Sequence, residues 1–184
     1  MEAGSLRSVD TYSLRSLVRE IPDFPEPGVG FKDITPLLGD AVGFRSAIDL
    51  MTEPLRNERI DLVVGIEARG FVFSAPVAHA LAAGLVPIRK PGKLPGPVES
   101  LTYQLEYGAG TLEIHTDAVA PGARCLIIDD VLATGGTAAA AASLVEGQGG
   151  VVVAFCFLIE LDFLGGRALL GAGAPILSTI RYEG

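Results

Sequence analysis

Apolar residues recur along this chain in two patterns, short continuous runs and stripes at helical spacing, and the two alternate. The runs Asp61–Glu67, Cys125–Ile128 and Val151–Ile159 read as buried strands, Cys125–Ile128 on both faces as in a parallel sheet, with a short strand at Leu85–Ile88 and a closing strand at Ile176–Tyr182. Between them, Phe44, Ala47, Ile48, Met51 and Leu55 predict a helix over Val42–Arg56. Further helices are predicted over Phe71–Ala83 and from the Ala-rich run after residue 137 to about Glu146, where Gly147, Gly149 and Gly150 stop it. Val9, Leu14, Leu17, Val18 and Ile21 predict an N-terminal helix over Ser8–Ile21. Strand alternating with helix predicts an α/β protein, and each strand–helix–strand passage is expected to cross over right-handed.

Three stretches break the alternation. Pro22–Gly28 is too rich in proline to hold a regular element, and Val29–Pro36 continues it as an irregular segment. Arg89–Pro97 spaces basic residues with Pro and Gly, which suits a lid better than a helix. Tyr103–Tyr107 and Thr111–Val119 alternate as a hairpin about Gly108-Ala109-Gly110. Neither an internal repeat nor a second domain is evident, so residues 1–184 are read as one domain.

The chemistry concentrates in Cys125–Ala142, CLIIDDVLATGGTAAAAA. Asp129 and Asp130 stand at a strand's carboxyl end, where ligands bind in open α/β sheets, and Ala133-Thr134-Gly135-Gly136-Thr137 opens the next helix. A helix start presents unpaired N–H groups with the positive dipole end behind them, and glycines let that backbone approach an anion closely. The Thr134 and Thr137 hydroxyls add donors. Two carboxylates beside a phosphate would repel it, so Asp129 and Asp130 suit sugar hydroxyls or a Mg²⁺ ion. Together these groups describe a site for a ribose 5-phosphate. Neither the lysine of a triphosphate-binding loop nor a Gly-x-Gly-x-x-Gly turn accompanies them, although a plain tight turn or a flavodoxin-like phosphate module would share part of the pattern.

Composition narrows the partners. With 49% apolar residues and a mean hydropathy of +0.43 the chain has enough apolar mass for a core, and no run reaches membrane-spanning length. The start, MEAGSLRSVD, lacks the apolar stretch of a secretory signal, which predicts a cytoplasmic protein. A net charge of −8 disfavours nucleic acid. A small polyanion can still bind where Arg69, Arg89, Lys90 and Lys93 converge. Cys125 and Cys156 sit inside strand patterns and are expected to be buried free thiols.

The Cys125–Ala142 stretch resembles the phosphoribosyl-diphosphate motif of type I phosphoribosyltransferases, and the likeness runs from about Ile21 to Tyr182. Phe24–Asp33 is similar to the base-binding hood of the members that use adenine, with Gly30 where they usually carry a bulkier residue. Glu67-Ala68-Arg69-Gly70 looks like their diphosphate turn, Leu105–Gly108 like their flexible loop, and Glu160–Arg167 like their late loop. The resemblance implies an α/β type I phosphoribosyltransferase fold: a mainly parallel twisted sheet flanked by helices, with a hood (about 21–36) and a flexible hairpin lid (about 89–110). It implies a Mg²⁺-dependent reaction of adenine with 5-phosphoribosyl 1-diphosphate to give AMP and diphosphate, in a homodimer. The same fold could instead serve hypoxanthine, guanine, xanthine or orotate, or a sensor of the donor.

Roles follow from that likeness. Asp129, Asp130, Ala133, Thr134, Gly135, Gly136 and Thr137 would hold the ribose 5-phosphate, with Mg²⁺ carried mainly by substrate and Asp129 and Asp130 as its candidate contacts. Arg69, Arg89, Lys90 and Lys93 would neutralise diphosphate. Val29, Gly30, Phe31, Lys32 and Leu161 would enclose adenine. Glu106 would manage the proton on the base, with Arg69 beside it in catalysis, and Tyr107 would seal the lid.

Overall fold

A computed structural model describes residues 11–24, 26, 27, 30–104 and 108–183. Packing divides the chain into two compact units, Met1–Leu50 and Met51–Gly184.

In the first unit, α1 (Thr11–Ser16) ends sooner than the apolar stripe suggests, and the chain turns into β1 (Arg19–Ile21). Residues 8–10 of the expected helix lie outside the described residues. β1 pairs antiparallel with β2 (Phe31–Asp33), inside the segment expected to be irregular. Two cross-strand ion pairs explain the strands: Arg19 Nη2 lies 2.5 Å from Asp33 Oδ2, and Lys32 Nζ lies 2.9 Å from Glu20 Oε1. Such contacts join residues far apart in sequence and leave no periodicity to read. α2 (Thr35–Gly39) follows with Pro36 in its first turn, a position that needs no N–H donor. α3 (Ala41–Thr52) runs from the first unit into the second, and a 3₁₀ turn (Glu53–Leu55) extends it to nearly the expected length.

The second unit is built on a five-stranded, wholly parallel sheet in the order β4-β3-β7-β8-β9. Its strands are β3 (Leu62–Ile66), β4 (Gly84–Ile88), β7 (Arg124–Leu132), β8 (Val151–Leu161) and β9 (Ile176–Tyr182). Val63, Val64, Leu126, Ile127 and Ile128 are wholly buried, so both faces are covered, as the continuous apolar runs require. α4 (Gly70–Ala80) packs on β3 and β7, close enough that a Cβ at Gly65 would fall 2.2 Å from Ser74 Oγ. α5 (Gly136–Gly147) lays Ala138, Ala140, Ala141, Leu144 and Val145 into a core shared with Val64, Ile66, Ile127, Phe155 and Phe157.

The antiparallel hairpin of β5 (Val98–Gln104) and β6 (Ala109–His115) stands apart from this sheet. It starts earlier and ends earlier than its alternation implied. Register sets those limits: Val98 faces His115 and Gln104 faces Ala109. A last short helix, α6 (Gly166–Leu170), lies between β8 and β9.

Candidate active site

Two strand-to-helix turns meet at the carboxyl ends of β3 and β7, which are neighbours in the sheet. The first is Glu67-Ala68-Arg69 leading into α4, with a cis peptide bond between Glu67 and Ala68. The second is Ala133–Gly135 leading into α5. Gly135 takes the left-handed conformation, φ +86°, which glycine adopts without a Cβ penalty, and so turns the chain sharply into the helix.

β7 runs four residues further than its apolar core, and its carboxylates therefore sit on the sheet itself: Asp129 is in register with Phe157 and Val131 with Ile159. Asp130 is buried and ion-paired with Arg69, whose side chain is about half exposed. Asp129 Oδ1 accepts a hydrogen bond from the Asp130 backbone N–H at 2.9 Å. A Cβ at Gly70 would fall 2.8 Å from that same Oδ1, so the start of α4 closes directly on Asp129. Burial, with Asp130's charge beside it, pushes the Asp129 carboxyl well above the usual carboxylate range. A cation arriving here would relieve both effects.

Between the turns and the hairpin lies a cavity of about 610 Å³. Arg69, Lys90, Asp129, Asp130 and Thr137 line it, together with Glu67, Ala68, Tyr103 and Gly110. The expected phosphate, sugar and diphosphate groups thus share one cavity through these five side chains. Ala133, Thr134, Gly135 and Gly136 form the backbone turn immediately before Thr137.

Arg89 is used differently. Its Nε donates to Glu67 Oε2 at 3.0 Å, and its guanidinium carbon lies 5.7 Å from the centre of the Phe71 ring. The Lys90 backbone N–H donates to the same Glu67 oxygen at 2.8 Å. These donors hold the Glu67 carboxyl below its ordinary range. Arg89 also bridges to Glu113 of β6 through both backbone groups, and the Gly92 N–H donates to Glu113 Oε2 at 2.9 Å, which stitches the basic segment to the hairpin. Lys93 is exposed, and its carbonyl faces Arg89 Nη1.

Two contributors escaped the sequence reading. Glu67 organises the basic segment, although it was noticed only as part of a turn. Tyr103 donates to or accepts from Thr137 Oγ1 at 3.1 Å and faces Gly110 across the hairpin. An aromatic residue opposite a glycine on paired strands is the signal that could have found it.

The hood residues are described within the first unit. Phe31 meets Phe24 edge to face, with ring centres 5.2 Å apart, and Lys32 is paired with Glu20. A Cβ at Gly30 would lie 2.9 Å from Glu20 Oε1, so the carboxylate takes the space that a larger residue would fill. Leu161 ends β8, half-buried and in register with Tyr182. Val29, Glu106 and Tyr107 lie outside the described residues.

A glycine turn into a helix, paired acids near the end of one strand, and a cavity lined by both carboxylates and cations beside a hairpin suit an α/β enzyme that handles sugar phosphates. The phosphoribosyl transferase domain model matches residues 41–163. Adenine phosphoribosyltransferase of Chloroflexus aurantiacus is 57% identical over 169 residues, covering 92% of this chain and 97% of that one. The Thermobifida fusca adenine phosphoribosyltransferase is 59% identical over 153 residues, 83% of this chain and 87% of its own. Among solved structures, the Rhodothermus marinus adenine phosphoribosyltransferase superposes with a TM-score of 0.89 at 51% identity, over 94% of this chain and 98% of that one. The Saccharomyces cerevisiae enzyme, complexed with an imino-altritol bisphosphate and adenine, gives 0.85 at 39% identity, over 92% and 97%. The chain belongs to the phosphoribosyltransferase family and, within it, to the adenine phosphoribosyltransferases.

Proposed function

We propose that the cavity of the second unit binds 5-phosphoribosyl 1-diphosphate and that the chain transfers its phosphoribosyl group to adenine, giving AMP and diphosphate. Membership of the family fixes the reaction class. The observation that carries the site reading is the convergence of Arg69, Lys90, Asp129, Asp130 and Thr137 on one cavity.

In this reading the N–H groups of Ala133–Thr137 and the Thr134 and Thr137 hydroxyls hold the 5-phosphate. Asp129 and Asp130 accept hydrogen bonds from the ribose hydroxyls. Breaking the bond from the anomeric carbon to diphosphate builds positive charge on the ring and negative charge on the leaving group. Positioning and charge stabilisation therefore do most of the work. Arg69 and Lys90 face the diphosphate; Arg69 exchanges its ion pair with Asp130 for the incoming phosphates, and Arg89 and Lys93 add positive potential from the basic segment. Glu106 takes or shields the proton that adenine's attacking nitrogen must shed, with Tyr107 closing over it. Val29, Gly30, Phe31 and Lys32 of the hood, and Leu161, are the proposed base contacts.

The acid pair fits magnesium in one particular way. Among the described residues no group of three His, Cys, Asp or Glu side chains gathers to hold a metal. Two hard carboxylates beside a phosphate-rich substrate suit Mg²⁺, which substrate would mainly carry and which Asp129 and Asp130 would help to hold. Bound there, it supplies charge neutralisation to the leaving diphosphate. Among the described residues no helix is long and apolar enough to cross a membrane. In this reading the enzyme works in the cytoplasm as a homodimer, and its net charge of −8 disfavours nucleic acid as a partner.

Calorimetric titration tests the donor site directly. Phosphoribosyl diphosphate should bind, more tightly with Mg²⁺ than without, and Asp129→Asn with Asp130→Asn should weaken it. A donor that binds neither with nor without Mg²⁺ would remove the site reading.

A further inference from the structure

Building on the donor-site reading, we propose that Gly166, anchored through the Arg167–Glu160 pair, is a positioning residue that braces the 5-phosphate turn from outside the cavity. Gly166 opens α6 and is buried. A Cβ there would fall 2.2 Å from the Ala133 carbonyl oxygen and 3.0 Å from the Gly135 nitrogen. Conversely, a Cβ at Gly135 would fall 2.5 Å from the Gly166 carbonyl oxygen. Two glycines therefore face each other with no side chain between them. The backbone that would cradle the phosphate rests directly on the backbone of α6.

The brace has its own anchor. Glu160 is 2% exposed and stands in register with Leu132, the residue just before the turn. Arg167 grips it with both ends of the guanidinium fork, Nε to Oε1 at 2.5 Å and Nη2 to Oε2 at 2.7 Å. Its remaining Nη1 donates to the Ile176 carbonyl at 3.0 Å, tying the same side chain to β9. Arg181 of β9 adds a further contact to Glu160 at 3.5 Å and holds Asp162. A fork that satisfies a buried carboxylate is geometrically exacting, which lysine does not reproduce. α6 has no freedom to slide without breaking this pair, and the turn has none without losing its contact with Gly166.

A brace of this kind predicts a selective defect. It positions the N–H groups aimed at the 5-phosphate and leaves the Arg69 turn, which follows β3 and is not among the nearest neighbours of Gly166, unaffected. The test uses two probes with the full chain, ribose 5-phosphate and inorganic diphosphate, titrated calorimetrically against Gly166→Ala and Arg167→Lys. Ribose 5-phosphate affinity should fall about tenfold or more in Gly166→Ala, the scale of losing one or two hydrogen bonds to a charged group. Arg167→Lys should fall in the same direction by less. Diphosphate affinity should hold within about twofold in both, since its partners are elsewhere. In turnover assays the defect should appear as a raised KM for the phosphoribosyl donor with the KM for adenine little changed. If Gly166→Ala does not fold, Arg167→Lys decides. Equal weakening of both anions, or no weakening of either, overturns the brace. Failure of the parent chain itself to bind ribose 5-phosphate would instead defeat the donor-site reading, a separate result.

Discussion

The Tyr103 hydroxyl lies 3.1 Å from Thr137 Oγ1, and this one contact ties the hairpin to the first turn of α5. Its setting is tight. A Cβ at Gly110 would fall 2.9 Å from the Tyr103 ring, and one at Gly136 would fall 2.8 Å from the Gln104 carbonyl oxygen. The hairpin therefore rests on the phosphate turn at Gly136, while Gly110 makes room for the Tyr103 ring within the hairpin. Because a hydroxyl both donates and accepts, Thr137 can accept a hydrogen bond from the Tyr103 O–H and donate its own to a phosphate.

Tyr103→Phe should accordingly raise the KM for the phosphoribosyl donor about two- to tenfold, the span of one neutral hydrogen bond. Its melting temperature should stay close to the parent's. Steady-state kinetics with the donor varied checks this, and an unchanged KM would leave the contact without a functional part.

Glu67 should matter through the basic segment that it holds. Replacing it with alanine frees the Arg89 guanidinium and the Lys90 N–H together. Inhibition by product diphosphate should weaken roughly tenfold, the scale of lost hydrogen bonds to a charged group. The sign of the pH effect follows from Glu67's lowered titration. The contact persists as pH falls through the ordinary carboxylate range and is lost only below it. Diphosphate inhibition in the parent that vanished already near the ordinary glutamate range would speak against this role.

Asp129 should trade stability for binding. Its carboxyl titrates higher in the folded chain than in the unfolded one, so the folded state binds more protons between those two values, and stability falls as pH rises through that window. Asp129→Asn removes the cost while an amide oxygen can still accept from the Asp130 N–H. The variant should melt higher than the parent at neutral pH and lose that advantage on acidification, while binding the donor more weakly. Melting curves across pH decide; a variant less stable throughout would mean that the charge is already compensated.

The thiols should be inert. Burial pushes Cys125 up to about 11 and Cys156 up to about 12, and the Cys156 thiol faces the Met51 carbonyl at 3.7 Å. Iodoacetamide at about pH 8 should leave both unmodified in the folded chain and label both in denaturant. Mass spectrometry reads the outcome directly, and labelling of native Cys156 would contradict its packing.

Much of this was legible because periodicity reports burial. β9 occupies Ile176–Tyr182, the expected closing strand, and β3, β4 and β8 differ from their expected spans by a residue or two. β7 extends past its apolar run because ladder hydrogen bonds continue through Asp129 and Asp130 whatever the side chains carry. The first unit was less legible. β1 and β2 are short, and their charged partners, Arg19 with Asp33 and Glu20 with Lys32, sit on different segments of the chain. The same limit applies at the site. Arg69, Asp129, Asp130 and Thr137 could be named from two glycine-rich turns, but the Arg69–Asp130 ion pair and the use of Arg89 by Glu67 arise only when those turns meet. Gly166 was seen merely as part of a late loop, since a glycine that makes room for another backbone has no side chain to signal it.

The most direct measurement is AMP formation from adenine and phosphoribosyl diphosphate with Mg²⁺, run beside hypoxanthine, guanine and orotate, with Glu106→Ala in parallel. The account predicts nucleotide from adenine alone, and a Glu106→Ala variant that loses turnover more than binding. Product from another base in preference to adenine, or donor binding with no product from any base, would contradict it.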